Sequence, residues 1–397
     1  MYTDFDDASR SELAAAAYVL AESCKKFPTY SALSKQLAYL YDATLTSYID
    51  YAWSSGRTVS LSSNFLDNSY ALGGENLEAE ICDLLCECLL EPNADNGAFD
   101  ESSFNIARAE LIDDIDSVIN DKSRYAAKQS SKTIYAGEPW ETPPVGTHEL
   151  AEKVTPKAAY NAYGKLLENA RISILCSGAS DFAEAEKVFT ERLAGLERGK
   201  VCMPRFIPSK LKAEPAVVED AIPMEQAILM MYFKSPKVYD RYAVFLMSMI
   251  LGGMATSRFF TNIREKQSLC YYCSSSPNRA AHGLCVNSGV DPRNIERTKQ
   301  AVLEELRDIQ ENGVTDEELQ NAKLNMLNIY SATKDNPSAV VNHYYRQIAD
   351  EKTLTIEETC EKIKAVTAGQ IRDAAREFKL DTVYTLRAPG DGEEDAE

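Results

Sequence analysis

The sequence is poor in histidine and has no long apolar run. Only three histidines occur in 397 residues, which leaves little for a histidine-based metal site. The absence of a membrane-length apolar span and of a recognisable signal peptide predicts a cytoplasmic protein. Hydrophobic residues at 45% and charged residues at 26% are typical of a globular protein and exclude collagenous, disordered and disulfide-scaffold classes. The length predicts two or three domains.

Basic residues are also in deficit. The chain has 42 lysines and arginines against 61 aspartates and glutamates, a formal net charge of −19. Such a surface repels phosphate groups, so nucleic acid and anionic membranes are poor partners. Part of the excess lies in the last six residues, 392–397, and the remainder favours a neutral or basic partner such as a basic peptide.

Ten cysteines lie within apolar runs, a pattern that indicates reduced, buried thiols in a cytoplasmic protein. Cys82, Cys86 and Cys88 follow a helical pattern, and Cys270 and Cys273 form a lone CxxC. Strand alternation predicts that Cys270 and Cys273 point to opposite faces. With no second CxxC and no nearby histidine pair, buried thiols are favoured over a zinc site.

The two halves of the chain repeat one another. Residues 104–108 match 319–323, and residues 153–155 match 365–367, in the same order and with one short length change. This pattern predicts an internal duplication. The alternative is a chance similarity between two unrelated α+β halves.

Local signals define the elements of each half. Thr315 followed by Glu318 is a capping box, Asp100 holds the matching N-cap position, and Thr155-Pro156 also begins a helix. β-rich runs between the helices predict strands at 58–63, 171–176, 226–233, 269–275 and 382–387. Each half is therefore predicted to be an α+β unit with helices packed on a sheet.

These signals predict domain boundaries. Residues 1–198 form the first domain and 224–389 the second. Residues 199–223, which contain four prolines, form an extended linker. Residues 390–397 form an acidic, solvated tail.

The stretch from Leu251 to Tyr271 contains Gly252-Gly253, then Ser-Arg-Phe-Phe, Arg264-Glu-Lys, and a tyrosine seven residues after Arg264. It resembles the second half of a subunit from the insulinase/pitrilysin family of zinc peptidases, in the branch of the mitochondrial processing peptidase. Residues 25–33 and 313–323 support the resemblance, which covers nearly the whole chain. It implies two duplicated α+β domains, each a mostly antiparallel sheet with helices packed on one face (metalloprotease-like, LuxS/processing-peptidase type).

The sequence departs from that family at the metal site. Active members carry His-x-x-Glu-His, in which two histidines bind zinc and the glutamate activates its water. Alignment on residues 25–29 places these positions at Ala14, Ala17 and Tyr18, none of which suits the task. The acids near the third ligand are Glu110, Asp113 and Asp114, and the histidines are scattered at His148, His282 and His343. We therefore expect no zinc in this chain.

A second departure lies at the amino terminus. Residue 1 falls only a few residues before the metal-site helix. We therefore expect either that the chain is shortened or that the sheet of the first domain lacks the strands that open it in the family. A sheet edge left open in this way would favour pairing with a partner or a second copy.

The resemblance implies roles for four residues. Arg264 and Tyr271 match the family's arginine and tyrosine, which contact substrate and stabilise the oxyanion beside a zinc held elsewhere. Gly252 and Gly253 match the glycine loop along the substrate path. The alternatives are structural: Tyr271 as a core tyrosine, Arg264 in a surface ion pair, and the glycines as a helix terminator.

Three functions remain open from the sequence. The first is an inactive peptidase homologue that binds peptide and completes the chamber of a zinc-bearing partner subunit through Arg264 and Tyr271. The second is a homodimeric pseudo-peptidase that acts as a scaffold or binding protein. The third, an independent metallopeptidase, would require unusual ligands.

Overall fold

The computed structural model describes residues 1–4, 9–52, 56–237, 240–279, 282–350 and 352–390. They form two compact units, Met1–Val118 with Thr142–Arg205 and Ile119–Glu141 with Phe206–Glu397. Both combine helices with sheets, which confirms the predicted α+β class. The acidic tail lies, from residue 391 onward, outside the described residues.

The unit boundaries differ from the domains drawn on the sequence. The segment Ile119–Glu141, which the sequence placed in the first domain, lies in the second unit. The predicted linker 199–223 divides between the units at Arg205, and part of it forms a strand.

The elements follow in chain order: β1 (Tyr2–Asp4), α1 (Arg10–Glu22), α2 (Tyr30–Tyr39), β2 (Thr46–Ala52), β3 (Gly56–Ser62), α3 (Leu77–Leu90), β4 (Ala94–Asp95), β5 (Ala98–Phe99), α4 (Glu101–Ser117), α5 (Lys122–Ile134), α6 (His148–Glu152), α7 (Pro156–Asn169), α8 (Ala183–Leu193), β6 (Ala216–Ala221), β7 (Ala227–Lys234), α9 (Arg241–Ser248), β8 (Cys270–Asn278), β9 (Gly283–Val290), α10 (Ile295–Asn312), α11 (Asp316–Thr333), α12 (Pro337–Tyr345), α13 (Ile356–Ala365), α14 (Ala368–Glu377) and β10 (Lys379–Arg387). Two π-helical turns, Met249–Gly253 and Phe259–Lys266, lie between α9 and β8.

The first unit is organised around α1. Its sheet has the order β1-β3-β2 with antiparallel pairing, and α1 packs against β2, α4 and α7. Four consecutive alanines, 14–17, are buried in this helix. Alanine is the best helix former, and its small side chain lets neighbouring helices approach closely. Thus the alanine run explains both the helix and its central position.

The predicted strand at 171–176 was wrong. Only Arg171 forms a β-bridge, with Tyr2 of β1, and residues 172–176 are not strand. The apolar composition of this segment produced the prediction. A strand also needs a hydrogen-bonding neighbour along its length, which no local sequence pattern reports.

The second unit contains a five-stranded sheet with the order β6-β10-β7-β9-β8. All neighbours are antiparallel except β6 and β10. Alternate residues of the central strand β7 face opposite cores: Leu229 and Met231 pack with residues of α9, α10 and α14, whereas Ile228 and Met230 pack with Ala126 of α5. Thus α5 covers the face of this sheet opposite the main helical layer.

A buried ionic cluster joins three segments of the second unit. Asp381 of β10 accepts hydrogen bonds from the backbone N–H and the Nζ of Lys212, at 3.0 and 2.7 Å. Lys234, at the end of β7, lies 3.5 Å from Asp381 and donates to the carbonyls of Ile134 and Lys210 at 2.6 and 2.8 Å. The cluster therefore fastens the end of α5 and the segment before β6 to the sheet.

Helix caps occupy matched positions in the two halves. Asp100 caps α4 and Thr315 caps α11, where Glu318 completes the predicted capping box. The same holds for Thr155 before α7 and Thr367 before α14. The local predictions of helix starts are thus confirmed.

None of the helices within the described residues combines the length and the apolar character needed to span a membrane.

Candidate functional site

One candidate site lies on the face of α1 that packs against α4 in the first unit. The two helices run antiparallel, with Tyr18 opposite Asp114 and Glu22 opposite Glu110. The phenol of Tyr18 donates a 2.5 Å hydrogen bond to Asp114. Ala21 lies one turn from Tyr18 on the same side of the helix. This face therefore presents a phenol, a methyl group and a carboxylate to the acids of α4.

The environment of this face is acidic and partly dehydrated. Burial, together with the hydrogen bond to Asp114, raises the pKa of Tyr18. Burial, followed by the charge of Glu110, raises the pKa of Glu22. Tyr18 therefore keeps its proton at neutral pH and acts as a hydrogen-bond donor between the two helices.

The positions aligned with the family's zinc motif lie on this same side of α1, one turn before Tyr18 and Glu22. Of these, Ala14 and Ala17 are fully buried in the core of the first unit. Tyr18, Ala21 and Glu22 repeat the same spacing one turn further along, where Tyr18 and Glu22 meet the acids of α4. Sequence reasoning missed Glu22, although Tyr18 and Glu22 are polar residues one turn apart in the apolar stretch of α1 that begins at Leu13.

These side chains do not fit the zinc of the resembled family. That metal requires two imidazoles one turn apart and a glutamate to activate water. At the aligned positions, the methyl group of Ala14 and the phenol of Tyr18 replace the imidazoles, and the methyl group of Ala17 replaces the glutamate. In the part of the chain that the structure describes, no group of three or more histidine, cysteine or acidic side chains could hold a metal ion.

The histidines lie apart and have local partners. The Nδ1–H of His148 donates to the Asp116 carboxylate at 2.9 Å, and Nε2 lies 3.4 Å from Glu152. His343 contacts the carbonyl of Leu354 at 3.0 Å. His282 is buried at the start of β9. None of these contacts brings two histidines together.

The His148 contact predicts a pH-dependent stability. Its hydrogen bond to Asp116 raises the pKa of His148, so the stabilisation is fully present below the unfolded pKa of about 6.5 and is lost as pH rises through the folded value. We expect His148→Gln to lower the melting temperature at pH 6 and to have less effect at pH 9. Asp116→Asn should show the same pH dependence. Equal losses at both pH values would contradict the assignment.

The second candidate site, in the second unit, begins at the two glycines. A Cβ at Gly252 would lie 2.6 Å from the backbone nitrogen of Ser275 in β8, so glycine is needed where the π-helical turn crosses that strand. Gly253 is exposed, and a Cβ there would meet Met249 at 2.7 Å. Close packing thus explains Gly252, and substrate binding by either glycine stays a prediction.

Two arginines of the motif have different surroundings. Arg258 is buried and binds Glu318 through Nε at 2.6 Å and Asp308 through Nη1 at 2.6 Å, which ties the π-helical turn to α10 and α11. The side chain of Arg264 is 42% exposed; it lies over the ring of Phe260 and 3.8 Å from Glu265. Arg258 is therefore structural, whereas the guanidinium of Arg264 remains accessible with one long ion pair.

Tyr271 lies at a β-bulge and is not a core tyrosine. In β8, Cys270 pairs with Val290 and Tyr272 with Gly289, so Tyr271 is the extra residue without a cross-strand partner. Its side chain is 54% exposed. The turn before β8 brings the strand next to Arg264, and the charge of Arg264 contributes to lowering the pKa of the Cys270 thiol. The structure thus leaves the phenol of Tyr271 accessible in the neighbourhood of Arg264.

The same bulge changes the CxxC. The expected placement of Cys270 and Cys273 on opposite faces was wrong, because the extra residue resets the alternation of the strand. The Cys273 thiol is the largest influence that lowers the pKa of Cys270, so the two thiols face one another. All ten cysteines are free, and those at 24, 82, 86, 88 and 273 are buried as predicted, whereas Cys176 is exposed.

Comparison with known proteins gives a consistent picture. Residues 153–326 match the model of the Peptidase M16 inactive domain. The chain is 22% identical over 373 residues to a probable inactive metalloprotease, YmfF, of Bacillus subtilis, covering 93% of this chain and 87% of the relative. It is 26% identical over 171 residues to an uncharacterised zinc protease, YmxG, of the same organism, covering 42% of each.

Solved structures share the fold. A conserved protein from Enterococcus faecalis superposes with a TM-score of 0.83 at 24% identity, covering 98% of this chain and 92% of that one. A peptidase M16 inactive domain from Pseudomonas fluorescens gives a TM-score of 0.75 at 16% identity, covering 96% and 90%.

Proposed function

Because the chain belongs to the insulinase-type (M16) peptidase family as an inactive homologue, we propose that it is a non-catalytic subunit that binds peptide and completes the chamber of a zinc-bearing homologue. Arg264 and Tyr271 contact the peptide in that partner's site. The chain itself holds no zinc, and it works in the cytoplasm, where its ten free thiols stay reduced.

The observation that carries the proposal is the contrast between the two candidate sites. Ala14, Ala17 and Tyr18, at the positions aligned with the zinc motif, lack the donors that zinc needs, whereas Arg264 and Tyr271 remain exposed and take little part in packing. A guanidinium and a phenol can both donate hydrogen bonds to a peptide carbonyl as negative charge develops on its oxygen. These two residues can therefore serve a reaction whose metal is bound by another subunit.

Sheet edges and charge support peptide binding. β2 lies at one edge of the three-stranded sheet and β8 at one edge of the five-stranded sheet, without a further strand among the described residues. An extended peptide can hydrogen-bond to such an edge. The net charge of −19 favours a basic peptide.

The test is the peptidase activity of a mixed complex. We expect the chain to co-purify with a homologue that carries His-x-x-Glu-His, and we expect Arg264→Ala/Tyr271→Phe to lower kcat/KM of the complex at least tenfold without dissociating it, since one donor to an oxyanion contributes about 10²–10³ in rate. The matched control is Arg293→Ala/Tyr30→Phe, which alters two exposed side chains elsewhere.

Two outcomes would contradict the proposal. Full activity of the Arg264/Tyr271 variant in the mixed complex would remove the proposed site roles. A chain that forms a stable homodimer and joins no zinc-bearing homologue would instead be a scaffold or binding protein. Sedimentation velocity of the separate and mixed proteins distinguishes these results.

A further inference from the structure

A loop of the first unit, residues 63–76, exposes several large apolar side chains. Phe65 and Leu66 are more than one-third exposed, Tyr70 is 68% exposed and Leu72 is 92% exposed. Scattered exposed hydrophobics are normal, but four within eight residues mark a surface that binds another molecule. We call residues 63–76 the apolar loop.

Hydrogen bonds hold the apolar loop in one conformation. The side chain of Asn68 donates to that of Asn76 at 3.0 Å and joins the middle of the loop to its last residue. The phenol oxygen of Tyr41 accepts from the backbone N–H of Leu72 at 2.8 Å and donates to Glu75 at 3.1 Å. The apolar side chains are thus presented on a fixed backbone, so binding needs little further ordering of the loop.

The apolar loop lies in a long stretch of the sequence that has acidic residues but no basic ones. Between Arg57 and Arg108 there are ten aspartates and glutamates and no lysine or arginine. Some of these acids have partners: Arg192 pairs with Asp83 and Glu87.

The two carboxylates of the loop, Asp67 and Glu75, make no ion pair with any residue that the structure describes. Their hydrogen bonds are local: the hydroxyl and the N–H of Ser69 lower the pKa of Asp67, and the backbone N–H groups of Glu75 itself and of Gly73 lower the pKa of Glu75. Both side chains are therefore ionised at neutral pH and free to meet a cation.

We propose that the apolar loop binds an amphipathic segment of a partner protein, rich in lysine or arginine on one side and in apolar residues on the other. Tyr70 and Leu72 take the apolar side of that segment, and Asp67 and Glu75 take its cations. A second copy of the chain would bring ten like charges against these ten, and nucleic acid would bring phosphates, so charge complementarity selects a basic protein segment.

This inference stands apart from the proposed subunit role. The apolar loop belongs to the first unit, whereas Arg264 and Tyr271 belong to the second. A chain without any part in proteolysis could still use the loop, and the test below does not measure peptidase activity.

The test uses the full chain and a fluorescein-labelled synthetic peptide with leucines and lysines at helical spacing. Fluorescence anisotropy should show binding that weakens as salt is raised and is at least tenfold tighter than that of the same peptide with glutamates in place of lysines. Tyr70→Ser/Leu72→Ser should weaken binding at least tenfold. Asp67→Asn/Glu75→Gln, which keeps the hydrogen-bond acceptors, should weaken binding and reduce its salt dependence.

The matched control is Leu324→Ser/Ile329→Ser, which removes exposed apolar side chains from α11 and should leave the affinity unchanged. The proposal is overturned if the control loses as much affinity as the Tyr70/Leu72 variant, if that variant binds normally, or if the glutamate peptide binds equally well. A dimer in sedimentation velocity that Tyr70→Ser/Leu72→Ser dissociates would assign the loop to a second copy and overturn it as well.

Discussion

Replacement of Asp381 by alanine should lower the free energy of unfolding by about 3–5 kcal/mol, because it leaves buried positive charge without its counter-ion. Asp381 is 0% exposed and Lys234 is 1% exposed. Without this carboxylate, the ammonium groups of Lys234 and Lys212 keep carbonyl and hydroxyl oxygens as hydrogen-bond partners, and Glu138, 3.9 Å from Lys234, is the carboxylate left near them. Urea unfolding followed by circular dichroism measures the change.

Two further variants serve as comparisons for Asp381→Ala. Asp373→Ala removes an exposed carboxylate from α14 and should change the free energy of unfolding by less than about 0.5 kcal/mol. Asp381→Asn keeps the shape and the acceptor for Lys212 but removes the charge. Its loss of unfolding free energy should therefore lie between those of Asp381→Ala and Asp373→Ala. A loss from Asp381→Ala no larger than that of the control would show that the buried cluster contributes nothing.

The same carboxylate predicts an acid dependence. Burial alone would raise the pKa of Asp381, but the hydrogen bonds from Lys212 outweigh it and hold the pKa below its usual value. A lowered folded pKa gives stability that is present above the unfolded value of about 4 and is lost as pH falls through the folded one. The difference in the free energy of unfolding between the wild-type chain and Asp381→Asn should therefore become smaller below pH 4.

The second large effect is a gain of metal binding. The triple substitution Tyr18→His, Ala21→Glu and Glu22→His places His-x-x-Glu-His on the face of α1 that meets α4. With Glu110 or Asp114 as a further donor, we expect roughly one zinc ion per chain to remain after dialysis, since two imidazoles one turn apart and a carboxylate suffice for such a site. Metal analysis and equilibrium dialysis give the stoichiometry and the Kd.

The control for this gain places the histidine pair one turn earlier on the same side of α1. Ala14→His/Tyr18→His has the same spacing, but Ala14 is fully buried, so this variant should take up no zinc and should unfold more easily. Uptake of zinc by the control, or none by a folded triple variant, would contradict the prediction that zinc binds between positions 18 and 22 and the acids of α4.

The sequence predicted much of the fold because its signals were local. The capping box at Thr315 and Glu318 needs only residues three apart, and the buried strand at 226–233 needs only a run of apolar residues. Both predictions are confirmed. The segment 171–176 is also apolar, but among the described residues only Arg171 pairs with a strand, and such pairing depends on the rest of the unit.

The candidate site was predicted less completely, for two physical reasons. A β-bulge adds one residue and changes which way every earlier side chain points, so the sequence could not tell that Cys270 faces Cys273 or that Tyr271 is exposed. The face of α1 that meets α4 depends on which neighbour covers each side of the helix. Motif spacing selected Arg264 and Tyr271, whose side chains the structure leaves exposed and whose roles stay predictions.

The place of α5 in the second unit has a consequence for how the chain is made. This helix leaves the ribosome early, but β10, the strand whose Tyr384 and Leu386 cover Ala126, is synthesised more than half a chain later. During translation the apolar side of α5 is therefore not covered by its sheet while the rest of the first unit is synthesised. A ribosome stalled between α14 and β10 would hold a chain whose first unit is fully synthesised. Its second unit would lack β10, the strand that lies between β6 and β7 in the sheet.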